Sequence, residues 1–213
     1  VQDHGKYVFK KYISRLPFVD DETFISSLNM VIDKYNIDYV FPAHDSVVIK
    51  LAESQENNEL LCPVITSPLG TCRVARSKRK TIQLLEQVIR TPKIYDNVVN
   101  IPKYPVFLKP DIGQGSKGTF IARNSDEVDF FLNQNPDLLI QEHLPGKEYT
   151  VDCYTDLSRR LAFCGARERK RITNGISVHT KPLKSVEIEQ MALKINTHLH
   201  FRGVWFFQLK ETE

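Results

Sequence analysis

An α/β region followed by an α+β region of mainly antiparallel strands is the fold class that the sequence predicts. Three observations carry it. Over the first third of the chain, helical and strand-like stretches alternate with short connections, the grammar of a parallel layer. After "TPKIY" (91–95) the grammar changes to hairpins, with strands in groups and only two helical stretches among them, which argues antiparallel pairing. The 213 residues, 41% hydrophobic and 26% charged, suffice for one large domain or two modest ones with a real core.

Each element follows from its own residues. "DDETFISSLNMVIDKY" (20–35) offers acidic caps at Asp20 and Asp21 and apolar Ile25, Leu28, Ile32 and Tyr35 at helical spacing. "IDYVFP" (37–42) is short, β-branched and aromatic, and is stopped by Pro42: a buried strand. "SVVIKLAES" predicts a helix starting near Ser46. "LLCPVIT" (60–66) reads as a second buried strand, with Pro63 favouring an edge or a strand start. Ser67 is a candidate N-cap with Pro68 at the first helical position, and Ser77 caps "KRKTIQLLEQVI". Strands follow at "YPVFLKP" and "TFIAR", flanking the loop "DIGQGSKG". A helix capped by Ser125 runs through "SDEVDFFLNQ". Strands are predicted at "DLLIQE", "EYTVDCYTD", "RRLAFCGARERK" and "SVHTKPL". "VEIEQMALKINTHL" places Ile188, Met191, Ala192, Ile195 and Leu199 on one helix face, and "GVWFFQLK" is the final strand.

The bulk properties narrow the function classes. A net charge of +3 is too small to argue for a nucleic-acid partner. Cys62, Cys72, Cys153 and Cys164 show no C-x-x-C spacing and sit in apolar segments, as free thiols of a reducing, cytoplasmic compartment do. No apolar run approaches the roughly 20 residues that span a bilayer, so no membrane partner is expected. No signal peptide is visible. The chain opens on Val1 and stops at Glu213 directly after a strand-like run, and both ends read as cut.

The stretch "VFLKPDIGQGSKGTFIA" (106–122) holds the first functional signal. Gly113, Gly115 and Gly118 satisfy G-x-G-x-x-G, but Gly118 leads into a strand, whereas a dinucleotide-binding loop opens a helix. The loop is therefore a hairpin tip. Glycine N–H groups can close on an anion, Ser116 adds a hydroxyl, Lys117 adds a charge, and Lys109 stands in an apolar strand where a phosphate would serve as its partner. A flexible hairpin with Lys109 reaching solvent is the alternative. In "LIQEHLPGKEYTVD", Gln141 and Glu142 end a buried strand, a turn follows at Pro145-Gly146, and Glu148 opens a strand whose Glu148, Thr150, Asp152 and Tyr154 share a face. A strand end and turn can offer adenine an acceptor and a backbone donor, and Glu148 can offer ribose a carboxylate. An ordinary connection with solvated acids is the alternative here.

These two stretches, together with "RGVWFFQLK", resemble the ATP-grasp superfamily, in the flavour of the large subunit of carbamoyl-phosphate synthase and its stand-alone relatives. The resemblance covers the chain from about Arg73 to its end. It implies a parallel pre-grasp α/β domain over 1–72 with its first strand missing. An N-terminal grasp subdomain with a glycine-rich lid hairpin follows over 73–142, and an incomplete C-terminal subdomain over 143–213. It further implies that Lys78 and Lys109 contact nucleotide phosphates and that the hairpin of Gly113, Gly115, Ser116, Lys117 and Gly118 is their lid. Gln141, Glu142 and the backbone at Leu144 would hold adenine, and Glu148 the ribose. Gln208 would be a magnesium ligand, and Arg167 or Arg169 would face the acceptor or its phosphorylated form. The family's further acidic and asparagine metal ligands would lie beyond Glu213, and neither Glu211 nor Glu213 is assigned to that role.

The implied chemistry is a ligase reaction. ATP, with Mg²⁺, phosphorylates a small-molecule carboxylate, and an amine displaces the phosphate from the acyl phosphate. A nucleotide-binding module without its own turnover is the second reading, and a nicotinamide oxidoreductase is disfavoured by the strand after Gly118. A free edge along "GVWFFQLK" would invite association with a second copy of the chain. The run "RERKR" (167–171) lacks interleaved aromatics and is split by Glu168, so a solvated strand end stands beside the phosphate role.

Overall fold

The computed structural model describes residues 5–113, 115–173 and 175–212. Gln114 of the glycine hairpin and the terminal Val1 and Glu213 lie outside the described residues. The chain divides into two compact units, Val1–Leu69 and Gly70–Glu213.

The first unit contains helices α1 (Gly5–Val8), α2 (Phe24–Tyr35) and α3 (Asp45–Glu56). Asp21 accepts from the N–H and hydroxyl of Thr23 at 2.8 and 2.6 Å, so the acidic cap acts two residues ahead of the N-cap position. Helix α3 starts one residue before Ser46, near the expected place, and is capped by His44, whose Nδ1 accepts from the Ser46 N–H at 3.4 Å. Phe24, Leu51 and Val64 form the core, with Val40 and Leu28 against it. The two buried strands expected here are reduced to one parallel bridge, Val40 to Val64. The missing donor is at Pro63, which has no N–H to offer on the Val40 side; the Val64 N–H, turned the other way, donates to the Gln55 side chain at 2.6 Å. The bridge keeps the parallel sense in the Val40 N–H to Pro63 and Ile65 N–H to Val40 bonds.

Helix α4 (Leu69–Arg76) starts one residue after Pro68, later than the Ser67 cap implied. In the second unit, α5 (Lys78–Leu85) is capped by Ser77, whose hydroxyl accepts from the Lys80 N–H at 3.1 Å. Strands β1 (Ile94–Tyr95), β2 (Val106–Pro110), β3 (Phe120–Ala122) and β4 (Leu138–Glu142) form one sheet in the order β1-β4-β2-β3, with every pairing antiparallel. Helix α6 (Ser125–Gln134) covers one face over Val106, Leu108, Val128, Leu138 and Ile140. Its cap is Asn124, one residue before the expected Ser125.

The second sheet runs β7-β6-β5-β8, also antiparallel throughout. Its strands are β5 (Glu148–Thr155), β6 (Leu161–Thr173), β7 (Ile176–Leu183) and β8 (Gly203–Lys210). Helix α7 (Val186–His198) lies on one face with the periodicity expected, burying Ile188, Ala192 and Ile195 against Val151, Cys153 and Trp205. All four cysteines are free thiols. Among the described residues no helix is long and apolar enough to cross a membrane.

Candidate functional site

Alternation along the strands decides which side chains are left over once the helices are packed. In the first sheet, Val106, Leu108, Leu138 and Ile140 point toward α6, so Phe107, Lys109, Leu139 and Gln141 share the other face. The register sets Phe107 opposite Gln141 and Lys109 opposite Leu139. In the second sheet Tyr149, Val151 and Cys153 lie on the α7 side. Glu148, Thr150, Asp152 and Tyr154 therefore share the far side with Arg167, Arg169, Gln208 and Lys210, their cross-strand neighbours.

Two lysines meet at the base of the glycine hairpin. The Lys109 ammonium is partly buried and has no hydrogen-bond or ion-pair partner among the described residues. Burial first, then repulsion from Lys78, lower its pKa to about 8, against a smaller opposing pull from Asp111. Lys78 Nζ donates to the carbonyls of Asp111 at 2.8 Å and Gly113 at 3.5 Å. Asp111, unremarked in the sequence, is the clamp: its carboxylate accepts from the Ser77 hydroxyl at 2.8 Å and the Arg79 N–H at 2.7 Å. It ties the start of α5 to the end of β2 and so holds the two cations together. An acid directly after the strand, in "LKPD", was the available signal.

The hairpin tip turns through left-handed backbone at Gly115 (φ 65°), Ser116 (φ 55°) and Gly118 (φ 68°). A Cβ at Gly118 would sit 3.3 Å from Pro110 Cγ. Ser116 and Lys117 are exposed, and the Thr119 hydroxyl donates to the Ser116 carbonyl at 3.0 Å.

At the other end of β4, Gln141 is buried and its Oε1 has no hydrogen-bond partner among the described residues. Glu142 spends its Oε1 on the Lys93 N–H at 2.8 Å, which extends the β1 ladder. The Leu144 carbonyl accepts from Lys210 Nζ at 3.2 Å, tying the turn after β4 to the end of β8. Gly146 fits there because a Cβ would fall 2.0 Å from the Glu211 carbonyl oxygen. Arg169 is 5% exposed and pairs with Glu148; its Nη2 donates to the Gly175 carbonyl at 2.6 Å, and its Nε is buried with no partner. Arg167 makes a two-pronged contact with Asp152, Nε to Oδ2 at 2.6 Å and Nη2 to Oδ1 at 3.2 Å. Asp152 was not singled out by the sequence, although the alternation already put it on this face. Gln208 is exposed, in register with Thr150. Among the described residues no group of three or more His, Cys, Asp or Glu is placed to hold a metal ion.

The arrangement thus offers two neighbouring lysines, of which Lys109 has no hydrogen-bond or ion-pair partner among the described residues, a buried acceptor at Gln141 and a buried donor at Arg169. Those are unmet valences of the kind an anionic, hydrogen-bonding ligand satisfies.

Comparison with known proteins gives the relatives of this chain. A family model described as an ATP-grasp domain matches residues 75–204. The D-alanine--D-alanine ligase of Fusobacterium nucleatum subsp. nucleatum is 34% identical over 79 residues, 37% of this chain and 28% of that protein. The one from Petrotoga mobilis is 30% identical over 88 residues, 38% of this chain and 30% of that protein. Among solved structures, the biotin carboxylase domain of Hydrogenobacter thermophilus 2-oxoglutarate carboxylase, in complex with MgADP, ADP and bicarbonate, aligns with a TM-score of 0.75. The identity is 14%, over 95% of this chain and 51% of that one. L-amino acid ligase from Bacillus licheniformis aligns with a TM-score of 0.69 at 16% identity, over 93% of this chain and 52% of that one. At these identities the structural likeness establishes the fold. The chain spans under a third of the curated relatives' length and about half of the solved chains'.

Proposed function

The chain belongs to the ATP-grasp domain family, and on that premise we propose that it serves an ATP-dependent ligase that joins a small-molecule carboxylate to an amine through an acyl phosphate, in the manner of carbamoyl-phosphate synthase. The observation that carries the nucleotide part is the Lys78–Lys109 pair beside the glycine hairpin: Lys109 is a partly buried cation, repelled by its neighbour more than Asp111 attracts it, with no hydrogen-bond or ion-pair partner among the described residues.

Each residue then has a task that the fold makes available. Lys109 and Lys78 neutralise the terminal phosphates, and backbone N–H groups of the Gly115–Gly118 turn close over them. Gln141 Oε1 accepts from the adenine amino group, because it is a buried acceptor with no partner of its own. The turn at Leu144 and the Glu142 strand end line the same base site. Glu148 takes a ribose hydroxyl on its second oxygen. Arg169 Nε is a buried donor left for a ligand oxygen, and Arg167, already oriented by Asp152, faces the acceptor or its acyl phosphate. Magnesium bound to the phosphates would supply charge neutralisation. The donor set of the described residues, with Gln208 as its one assigned ligand and no acidic cluster, does not fit a metal by itself. The same observation supports the second reading, nucleotide binding without turnover by this chain alone. The 5–69 unit we assign to the domain preceding the grasp, on the strength of its parallel bridge between helices.

The test is ligand choice. With ATP and Mg²⁺ at about 100 times the dissociation constant, stabilisation of about 2.7 kcal/mol is expected in thermal unfolding. NAD at the same concentration is expected to give none. A shift with NAD alone overturns the proposal.

A pH dependence follows from Lys109. Phosphate binds the protonated amine and raises its pKa, so affinity is expected to be flat below about pH 7. It then falls as the pH rises through about 8, the free-state value, with a limiting slope of about tenfold per unit. Lys109→Arg is expected to flatten this profile, since guanidinium stays charged throughout. Titration calorimetry from pH 6.5 to 9.5 measures both; a slope that survives in the arginine variant assigns the titration elsewhere.

A further inference from the structure

The glycine hairpin does not hang free. Its Gly115 backbone lies against Gly175, at the tip of the β6–β7 hairpin of the other sheet. A Cβ added to Gly175 would sit 2.5 Å from both the Gly115 carbonyl carbon and its Cα. Such an approach is open to glycine alone, and Gly175 also has φ +75°, where a side chain is strained. The carbonyl of Gly175 is in turn held by Arg169 Nη2 at 2.6 Å, and the same guanidinium pairs with Glu148 through Nη1. Arg169 is 5% exposed, so these contacts are made away from water, where they are worth more than at a surface. An unbroken chain of contacts therefore runs from Glu148 through Arg169 and Gly175 to Gly115.

We propose that Arg169 and Gly175 form a latch that seats the glycine hairpin and reports the occupancy of Glu148 to it. This rests on the reading of Glu148 as the ribose carboxylate. One carboxylate oxygen, Oε1, is used by Arg169. A ribose hydroxyl on the other oxygen fixes Glu148, which fixes the guanidinium fork, which fixes the Gly175 carbonyl and the seat beneath Gly115. Nucleotide and hairpin closure then favour each other, and by linkage the coupling is reciprocal. Arg169 acts here as a positioning residue. Its planar fork matters, because an ammonium in its place cannot hold both Glu148 and Gly175 in one plane.

Lys117, exposed in the hairpin, supplies the readout. Trypsin cleaves after Lys117 only when the segment opens far enough to enter the protease. In the ligand-free chain, Arg169→Lys and Gly175→Ala are each expected to speed cleavage at Lys117–Gly118 at least fivefold, with other sites cut at wild-type rates, as read by fragment mass. Adding ATP is expected to slow the Lys117 cut in the wild type and to slow it less in Arg169→Lys. Equal Lys117 rates in the wild type and both variants overturn the latch. So does acceleration at every site alike, which marks general loosening. If ATP leaves all rates unchanged while the ligand-free difference persists, the seating of the hairpin by Arg169 and Gly175 stands, and the report from Glu148 falls together with the nucleotide reading it rests on.

Discussion

Lys109→Ala is expected to lower affinity for a non-hydrolysable ATP analogue by about 10- to 150-fold, the equivalent of about 1.5–3 kcal/mol for a lost charged contact to phosphate. The stability of the ligand-free protein is expected to stay the same or rise. Both halves come from one fact: this ammonium is partly buried, is repelled by Lys78 more than Asp111 attracts it, and has no hydrogen-bond or ion-pair partner among the described residues. That cost weighs on the ligand-free chain and is relieved on binding. A lysine with a merely structural task would behave in the opposite way, losing stability and leaving affinity alone. Titration calorimetry and thermal unfolding of the one variant read both quantities. Unchanged affinity in a folded Lys109→Ala protein rejects the phosphate role.

Trp205→Ala is expected to destabilise the second unit by about 3–5 kcal/mol, as truncation of a buried large aromatic does. Trp205 is 7% exposed, stacks on Phe201 at 4.1 Å between ring centres, and sits in the core between β8 and α7. It also heads a buried polar chain. The indole N–H donates to Thr155 Oγ1 at 2.8 Å, that hydroxyl donates to Asn196 Oδ1 at 2.6 Å, and Asn196 Nδ2 donates to the Arg159 carbonyl at 3.1 Å. Thr155→Val keeps the shape but leaves the indole N–H and the Asn196 oxygen without partners, a loss of about 1–3 kcal/mol. Because both variants act on one network, their effects are expected to fall short of additivity. Urea unfolding of the two single variants and the double variant measures this. A Trp205→Ala midpoint close to that of the wild type would show that β8 is held by its ladder alone.

The core side of each strand was legible from the sequence because it depends on a local rule. Period-two alternation put Trp205 and Phe207 inward and Phe206 and Gln208 outward, and in the structure Trp205 is buried while Phe206 is 64% exposed. The helix face of Ile188, Ala192 and Ile195 was read in the same way. Where the rule met proline it misled: "LLCPVIT" has a strand's composition, but Pro63 lacks the donor that would extend the pairing beyond one bridge. The cap expected at Ser125 slipped by one residue to Asn124, whose side chain accepts from the Glu127 N–H.

The sequence by itself determined the order of the motifs, the hairpin form of the glycine loop and the strand face that carries Glu148. All three are set within a few residues, by glycine punctuation and strand period. Only the tertiary structure decided what those groups meet. That Asp111 clamps Lys78 beside Lys109, that Gln141 is a buried acceptor without a partner, that Arg167 is oriented by Asp152, and that Gly175 is the seat of Gly115 are all contacts between residues distant along the chain. Their existence depends on register and on the approach of two hairpins. A side chain's hydrogen-bonding capacity is written in its residue type; whether that capacity is met, and so whether the residue is free to bind a ligand, is a property of the space the fold encloses.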